Sequence, residues 1–205
     1  MSRVRGPVRV SAGGASLTNS GKQDYGTPAD FLVAVRQYFG ITVFDWDLAA
    51  HQDNHIVSRW LGPGSTEAED SLTYDWDRLD GHLWLNPPFN DIAPWAKKCA
   101  TTCGAPSSRR RTIYFLVPAS VGANWFAESV FPYARVYALQ GRLSFDGKAP
   151  YPKDCMLCVF TNVHRTNGFA VWDWRYTLKK MPNPPQPSSR PKSTPSVPRR
   201  SARTS

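Results

Sequence analysis

The sequence predicts an α/β protein, a three-layer α/β/α sandwich on a mostly parallel sheet. Three observations point there. Segments with apolar residues at helical spacing alternate along the chain with short apolar strands. Residues 112–117 form an apolar run, as a strand covered on both faces of a parallel sheet requires. With 205 residues, 41% of them hydrophobic, the chain can bury one real core but not comfortably two.

The elements follow in order. Thr27-Pro28-Ala29-Asp30 opens the first helix, with Thr27 as N-cap, Pro28 in the first turn and an acid behind it. Phe31, Leu32, Val35 and Phe39 keep helical spacing until Gly40 ends the helix. A strand over 41–47 comes next, then a short helix over 53–60. Residues 82–85 make a short strand that Pro87-Pro88 cuts off, because proline gives no donor to a ladder. A helix over 92–102, a Pro-Ser-Ser-Arg-Arg-Arg loop and the 112–117 strand continue the alternation. Residues 125–131 are helical, and 135–139, 155–161 and 169–174 are strands. In such folds ligands bind at the carboxyl ends of the strands, so chemistry is sought there.

Three regions are expected: a basic N-terminal arm over 1–22, a folded domain over 23–181, and a Pro/Ser/Arg-rich basic tail over 182–205. The net charge of +9 lies in the ends: Arg3, Arg5, Arg9 and Lys22, then Arg190, Lys192, Arg199, Arg200 and Arg203, with no acid among either set. Flexible basic arms suit a polyanion, because each neutralised phosphate releases counterions; the same composition also serves as a solubilising end. No apolar run reaches the ~18 residues of a membrane span. The basic start has no apolar stretch behind it, so a cytoplasmic protein is expected.

Cys99, Cys103, Cys155 and Cys158 show the spacing C-x3-C and C-x2-C, which invites a zinc site. The first pair falls in a helical stretch, and the second opens a strand where odd spacing sends the side chains to opposite faces. Neither pair carries a knuckle-type turn. They are read as reduced core thiols, with no metal site.

Asn86-Pro87-Pro88-Phe89 ends a strand where an open α/β sheet keeps its active site. Two prolines make a stiff segment without donors, which leaves the Asn86 side-chain oxygen and the Pro87 carbonyl as fixed acceptors beside an aromatic ring. That arrangement suits a planar amino group. Two acceptors hold its hydrogens, the nitrogen lone pair turns out of the ring plane, and Phe89 stacks on the ring. The acceptors also stabilise positive charge developing on the nitrogen, so no shifted general base is needed. The same tetrapeptide also occurs as a simple turn.

Asn-Pro-Pro-Phe looks like the signature of amino-group methyltransferases, and the chain resembles the phage-type DNA N-6-adenine methyltransferase family. Tyr25-Gly26-Thr27-Pro28 is similar to its N-terminal Trp/Tyr-x-Thr-Pro segment. Phe44-Asp45-Trp46-Asp47-Leu48-Ala49-Ala50, with Asn54 downstream, resembles its Phe-Asp-x-Asp-x-Ala-Ala element. Asp70-Ser71-Leu72 with Asp75-Trp76, Leu116-Val117-Pro118-Ala119 with Trp125-Phe126, and Gly141-Arg142-Leu143-Ser144-Phe145 complete the order over about residues 22–162.

The resemblance implies a Rossmann-like methyltransferase fold, S-adenosylmethionine as cofactor, and methyl transfer to adenine N6 in DNA. Asn86, Pro87, Pro88 and Phe89 are then the catalytic residues. Thr27, Pro28, Asp47, Ala49, Asn54 and Asp70 hold the cofactor: Asp47 accepts from its amino or hydroxyl groups, Ala49 permits close approach, and the helix opened by Thr27 and Pro28 receives a carboxylate. Asp70 is the candidate for the ribose; each Asp can also be a cap or a solvated charge. Many methyltransferases place a Gly-x-Gly loop after the first strand, where this chain has Asp-Leu-Ala-Ala. The target base must be flipped or single-stranded. Arg142, Phe145 and the run Arg109, Arg110, Arg111 are candidates for DNA contact, the triple Arg being equally readable as a solvated loop. A monomer with a short or relaxed target site is expected, with protection from restriction as one purpose. Rival readings are a methyltransferase for cytosine N4, an RNA base or a protein glutamine, and a non-catalytic basic DNA-binding protein.

Overall fold

A computed structural model describes residues 26–145, 147–163 and 167–180; the basic ends lie outside the described residues. Its elements are α1 (Ala29–Phe39), β1 (Trp46–Asp47), a 3-10 turn (Trp76–Arg78), β2 (Gly81–Leu85), α2 (Ala93–Gly104) and β3 (Arg111–Pro118). They continue with α3 (Asn124–Ser129), β4 (Ala134–Leu139), β5 (Cys155–Thr161), β6 (Gly168–Trp172) and α4 (Trp174–Lys179). No helix among the described residues is long and apolar enough to cross a membrane.

The strands form one mixed sheet in the order β1-β2-β3-β5-β4-β6. β1, β2 and β3 pair parallel, as do β4 and β6, while β5 runs antiparallel to both β3 and β4. The expected mostly parallel sheet is thus corrected to a mixed one, with β5 as the inverted strand. The apolar run of β3 feeds both faces. Ile113, Phe115 and Val117 enter a core with α2 and α3 residues such as Cys99, Cys103 and Phe126. Tyr114 and Leu116 enter a second core with Phe31, Ala34 and Val35 of α1 and Trp174 of α4. This alternation is the period of two that a pleated strand imposes. Cys155 and Cys158 fall in different cores, and burial pushes the Cys103 and Cys155 thiols up to about 12.

Three expectations change. Thr27 is not the N-cap of α1: the first helical bond runs from Leu32 N to Pro28 O at 3.1 Å, and the Thr27 hydroxyl instead accepts from the Trp84 indole at 3.2 Å. The helix ends as expected, with Gly40 left-handed at φ 66° and Ile41 N donating to Arg36 O at 2.9 Å. The strand over 41–47 shrinks to two residues, because the chain first meets its neighbour at Asp45, whose N–H donates to His82 O and whose side chain accepts from His82 N. The short helix over 53–60 does not form. Ile56 N, which would make its first helical bond, donates instead to Asp47 Oδ2 at 3.2 Å, and Asn54 Oδ1 accepts from His51 N at 2.6 Å to close a turn there.

Arg111 corrects a further expectation. Its side chain is fully buried at the start of β3 and pairs with Asp77, with Trp76 O at 3.3 Å, Asp77 O at 3.1 Å and Ser107 Oγ at 2.7 Å. It fastens the 3-10 turn to the sheet and is not available to DNA. Replacing it strands these acceptors, so Arg111→Met is expected to cost about 2 kcal/mol of stability. Urea unfolding checks this: an unchanged midpoint would remove Arg111 from the structural framework.

Candidate active site

β1, β2 and β3 run parallel, so their carboxyl ends share one edge, occupied by Asp47, Asn86 and Pro118. At that edge a second segment lies against the end of β1. Asp47 N donates to Arg59 O at 3.0 Å, Leu61 N to Asp47 O at 2.9 Å, and Ala50 N to Leu61 O at 3.0 Å. Gly62 makes this pairing possible. Its φ is 136°, and a Cβ there would lie 2.1 Å from Ala50 O. The close backbone approach that a Gly-x-Gly loop would give is supplied here by Gly62 from the returning segment.

Between these segments and the Asn-Pro-Pro turn lies a cavity of about 440 Å³. Leu61, Pro63, Pro88 and Trp95 give it apolar walls, Glu69 and Asp70 give it carboxylates, and Ala49, Asn54 and Asn86 line it as well. A narrow crevice continues from the last three residues to Thr27, Asp47 and Trp84. The described residues that line either space include three carboxylates and no Lys or Arg. Such a space suits a cationic ligand with a flat apolar part and hydroxyl groups.

Asp47 is the electrostatic centre of the site. It is 3% exposed, and among the described residues its carboxylate accepts from the backbone of Ala49 at 3.4 Å and Ile56 at 3.2 Å. Burial raises its pKa from 3.8 to about 6, against the smaller pull of those two amides. Asp45, two residues earlier, plays a different part: Oδ2 accepts from His82 N at 2.8 Å and fills the space that a Cβ at Gly81 would need. Asp70 caps its own turn, accepting from Leu72 N at 2.8 Å, while lining the cavity.

The structure brings Thr27, Asp47, Ala49, Asn54, Asp70, Asn86 and Pro88 around the two spaces. Pro28 begins α1 next to Thr27, and its carbonyl accepts the first helical bond. Pro87 is buried within the Asn-Pro-Pro turn. Phe89 turns toward Phe145, with ring centres 5.7 Å apart. Arg142 is exposed on the loop that carries Phe145 and lies 3.4 Å from Asp154. Arg109 and Arg110 precede β3 and therefore sit at the opposite edge from Asn86, Arg109 lying 3.7 Å from Asp80. Sequence reasoning missed Gly62, Glu69, Trp95 and Lys98. Lys98 on α2 donates to Leu72 O and Tyr74 O, both at 2.6 Å, and so holds the segment that presents Glu69 and Asp70. Leu61-Gly62-Pro63-Gly64 and Glu69-Asp70 were visible signals, whereas Lys98 looks like any surface lysine of a helix.

The family model of DNA N-6-adenine-methyltransferase (Dam) matches residues 14–167 of this chain. No curated protein and no solved structure matches it.

The Asp47 shift has a thermodynamic consequence. Its folded pKa lies above the ordinary value, so its contribution to stability is fully present below pH 4 and is lost as pH rises through about 6. Keeping the charge buried at neutral pH costs the ligand-free protein up to about 3 kcal/mol. The difference in unfolding free energy between wild type and Asp47→Asn is therefore expected to move against wild type between pH 4 and pH 7. Urea titrations across that range measure it, and a pH-independent difference would contradict the burial argument.

Proposed function

We propose how the site works on the premise that the chain belongs to the DNA N-6-adenine-methyltransferase family. The protein is accordingly an enzyme that methylates adenine N6 in DNA with S-adenosylmethionine as methyl donor. The observation that carries the residue assignment is the position of Asn86. It ends β2 and lines both the acid-rimmed cavity and the crevice of Asp47.

The residues present fit the cofactor. Its sulfonium and ammonium charges meet a space with carboxylates and no cationic side chain among its described lining residues, and its adenosine meets Leu61, Pro63, Pro88 and Trp95. Asp47 and Thr27, with Asn54, hold the amino-acid end; Pro28 and the first turn of α1 receive its carboxylate. Glu69 and Asp70 accept from the ribose hydroxyls, and Ala49 leaves room for close approach. When bound, S-adenosylmethionine supplies an electrophilic methyl group. Asn86 Oδ1 and the Pro87 carbonyl accept the two hydrogens of the adenine amine and turn its lone pair toward that methyl. Pro88 keeps the turn stiff, and Phe89 stacks on the base. The acceptors stabilise the charge that develops on nitrogen, and the proton is released afterwards.

The helices on both faces of the mixed sheet, and the common direction of every strand except β5, support a Rossmann-like three-layer methyltransferase sandwich. Arg142 and Phe145 lie on the loop that meets Phe89 and serve the DNA side, with the basic ends as counter-charges for phosphate. The phage-type pattern fits a role in modifying DNA against restriction.

The test is methyl transfer from labelled S-adenosylmethionine to unmethylated DNA, with nucleoside analysis of the product. N6-methyladenine is expected from wild type. Asn86→Ala is expected to lose about 10²- to 10³-fold in kcat with cofactor affinity within about twofold of wild type. Asp47→Ala is expected to weaken cofactor binding at least about 10-fold, the loss of a charge-assisted contact. Loss of cofactor binding in the Asn86 variant, or unchanged affinity in the Asp47 variant, would overturn the respective assignment.

A further inference from the structure

Phe89 leaves the Asn-Pro-Pro turn toward the loop between β4 and β5, where it meets two other rings. Phe89 and Phe145 lie 5.7 Å apart at 72°, Phe89 and Tyr151 5.6 Å at 65°, and Phe145 and Tyr151 5.4 Å at 89°. Each pair has the edge-to-face geometry that aromatic quadrupoles favour, and together they close a triangle. The neighbours of Phe89 therefore restrain the plane of its ring as well as its position.

The loop that brings those rings is itself fixed. Gln140 N donates to Trp172 O at 2.9 Å, and Tyr151 N to Leu143 O at 2.7 Å, with Leu143 fully buried. Gly141 has φ 81°, and a Cβ there would lie 2.1 Å from Arg175 Nη1. Arg175 of α4 uses that room: its Nη2 donates to Arg142 O at 2.8 Å while its guanidinium lies 4.3 Å from the Trp174 ring centre. Pro150 and Pro152 flank Tyr151, which restricts its backbone to extended conformations. A half-buried ring on a stiff backbone, anchored at both ends of its loop, is built to hold something still.

We propose that Tyr151, together with Phe145, is a positioning residue for the target adenine: it fixes the plane of Phe89, on which the base stacks. The inference rests on the reading of Phe89 as the stacking ring. The chemistry makes the angle matter. The amine is presented to Asn86 and Pro87 only if the base lies in one plane, and a misplacement of about 1 Å costs on the order of 10² in rate. A loosened Phe89 still offers an aromatic surface, so the loss falls on kcat more than on DNA affinity. The contacts of Tyr151 with Phe89 and Phe145 are made by its ring, and a phenylalanine there preserves them.

A double-mutant cycle on the full chain tests the proposal, with kcat on unmethylated DNA and calorimetric affinity for S-adenosylmethionine as readouts. Tyr151→Leu is expected to lower kcat about 10- to 100-fold with cofactor affinity within about twofold, the signature of lost orientation. Tyr151→Phe is expected to keep at least about half of the wild-type rate, because the ring geometry survives. Phe89→Leu with Tyr151→Leu is expected to be no worse than Phe89→Leu alone, because Tyr151 acts through Phe89. Multiplicative losses, a Tyr151→Phe variant as damaged as Tyr151→Leu, or a parallel fall in cofactor affinity would each overturn it. If Phe89→Leu alone leaves kcat unchanged, the stacking role of Phe89 falls, and the proposal with it. Wild-type formation of N6-methyladenine in the same assay separates that result from a failure of the enzymatic reading.

Discussion

One buried carboxylate organises the working edge of this molecule. Asp47 closes a strand of only two residues, yet its backbone is held by β2 on one side and by Arg59 and Leu61 on the other. Its side chain takes up the amides of Ala49 and Ile56. The stretch from Leu48 to Trp60 must therefore leave and return within the reach of one residue, and the concave side of that excursion is the cavity. The arrangement is unfavourable by itself, since burial resists the charge that neutral pH imposes. A cationic ligand offsets that cost and a neutral or anionic one does not. On the proposed reading, the positive charge of the cofactor is what offsets it.

The Asn-Pro-Pro-Phe turn acts as a partition. Asn86 and Pro88 face the cavity, while Phe89 faces the rings of the β4–β5 loop. The turn is a wall one backbone thick between the cavity and the loop rings. Proline suits such a wall because it contributes rigidity and no N–H that would compete for the acceptors meant for the amine. The partition also explains why the two cores matter to the site. Phe89 packs on the core under α2, and Phe145 and Tyr151 on the core under α1 and α4. The loop contact links the two layers across the end of the sheet.

Much of this was legible in the sequence wherever local chemistry dictates structure. The Gly40 stop, the Pro87-Pro88 end of β2 and the period-two burial of β3 depend on backbone restrictions or alternation that a short window contains. What could not be read were outcomes set by distant partners. Thr27 has the pattern of a cap but gives its hydroxyl to Trp84, 57 positions away. The segment 53–60 has helical composition, but Ile56 N goes to the side chain of Asp47, nine positions earlier, instead of to a helical bond. Arg111 sits in a basic run that reads as surface, and only the fold shows that Asp77 and Ser107 surround it. The inverted β5 was hidden because an apolar strand carries no mark of its direction. For the site, Asn86 and Asp47 were found because strand ends are where chemistry gathers, whereas Gly62 and Tyr151 needed the loops to be closed.

The charge distribution then sets how a polyanion can be engaged. A site rimmed by Asp47, Glu69 and Asp70 repels phosphate, so on the proposed reading only the uncharged, extruded base comes up to it, at Asn86. The attraction must come from elsewhere. Arg109 and Arg110 stand at least six residues along the strands from the level of Asn86, about 20 Å at ~3.3 Å per residue. That exceeds the ~8 Å over which charges act at physiological salt. Arg142, Lys148 and Lys153 on the β4–β5 loop are at the right edge, but Arg142 already faces Asp154. The charge of +9 is carried by the two ends of the chain, and the part between them is neutral. A neutral, acid-lined catalytic body with basic ends divides the work in a physically consistent way. On the proposed reading, basic charge at the ends holds the DNA backbone through counterion release, which makes affinity fall steeply with salt.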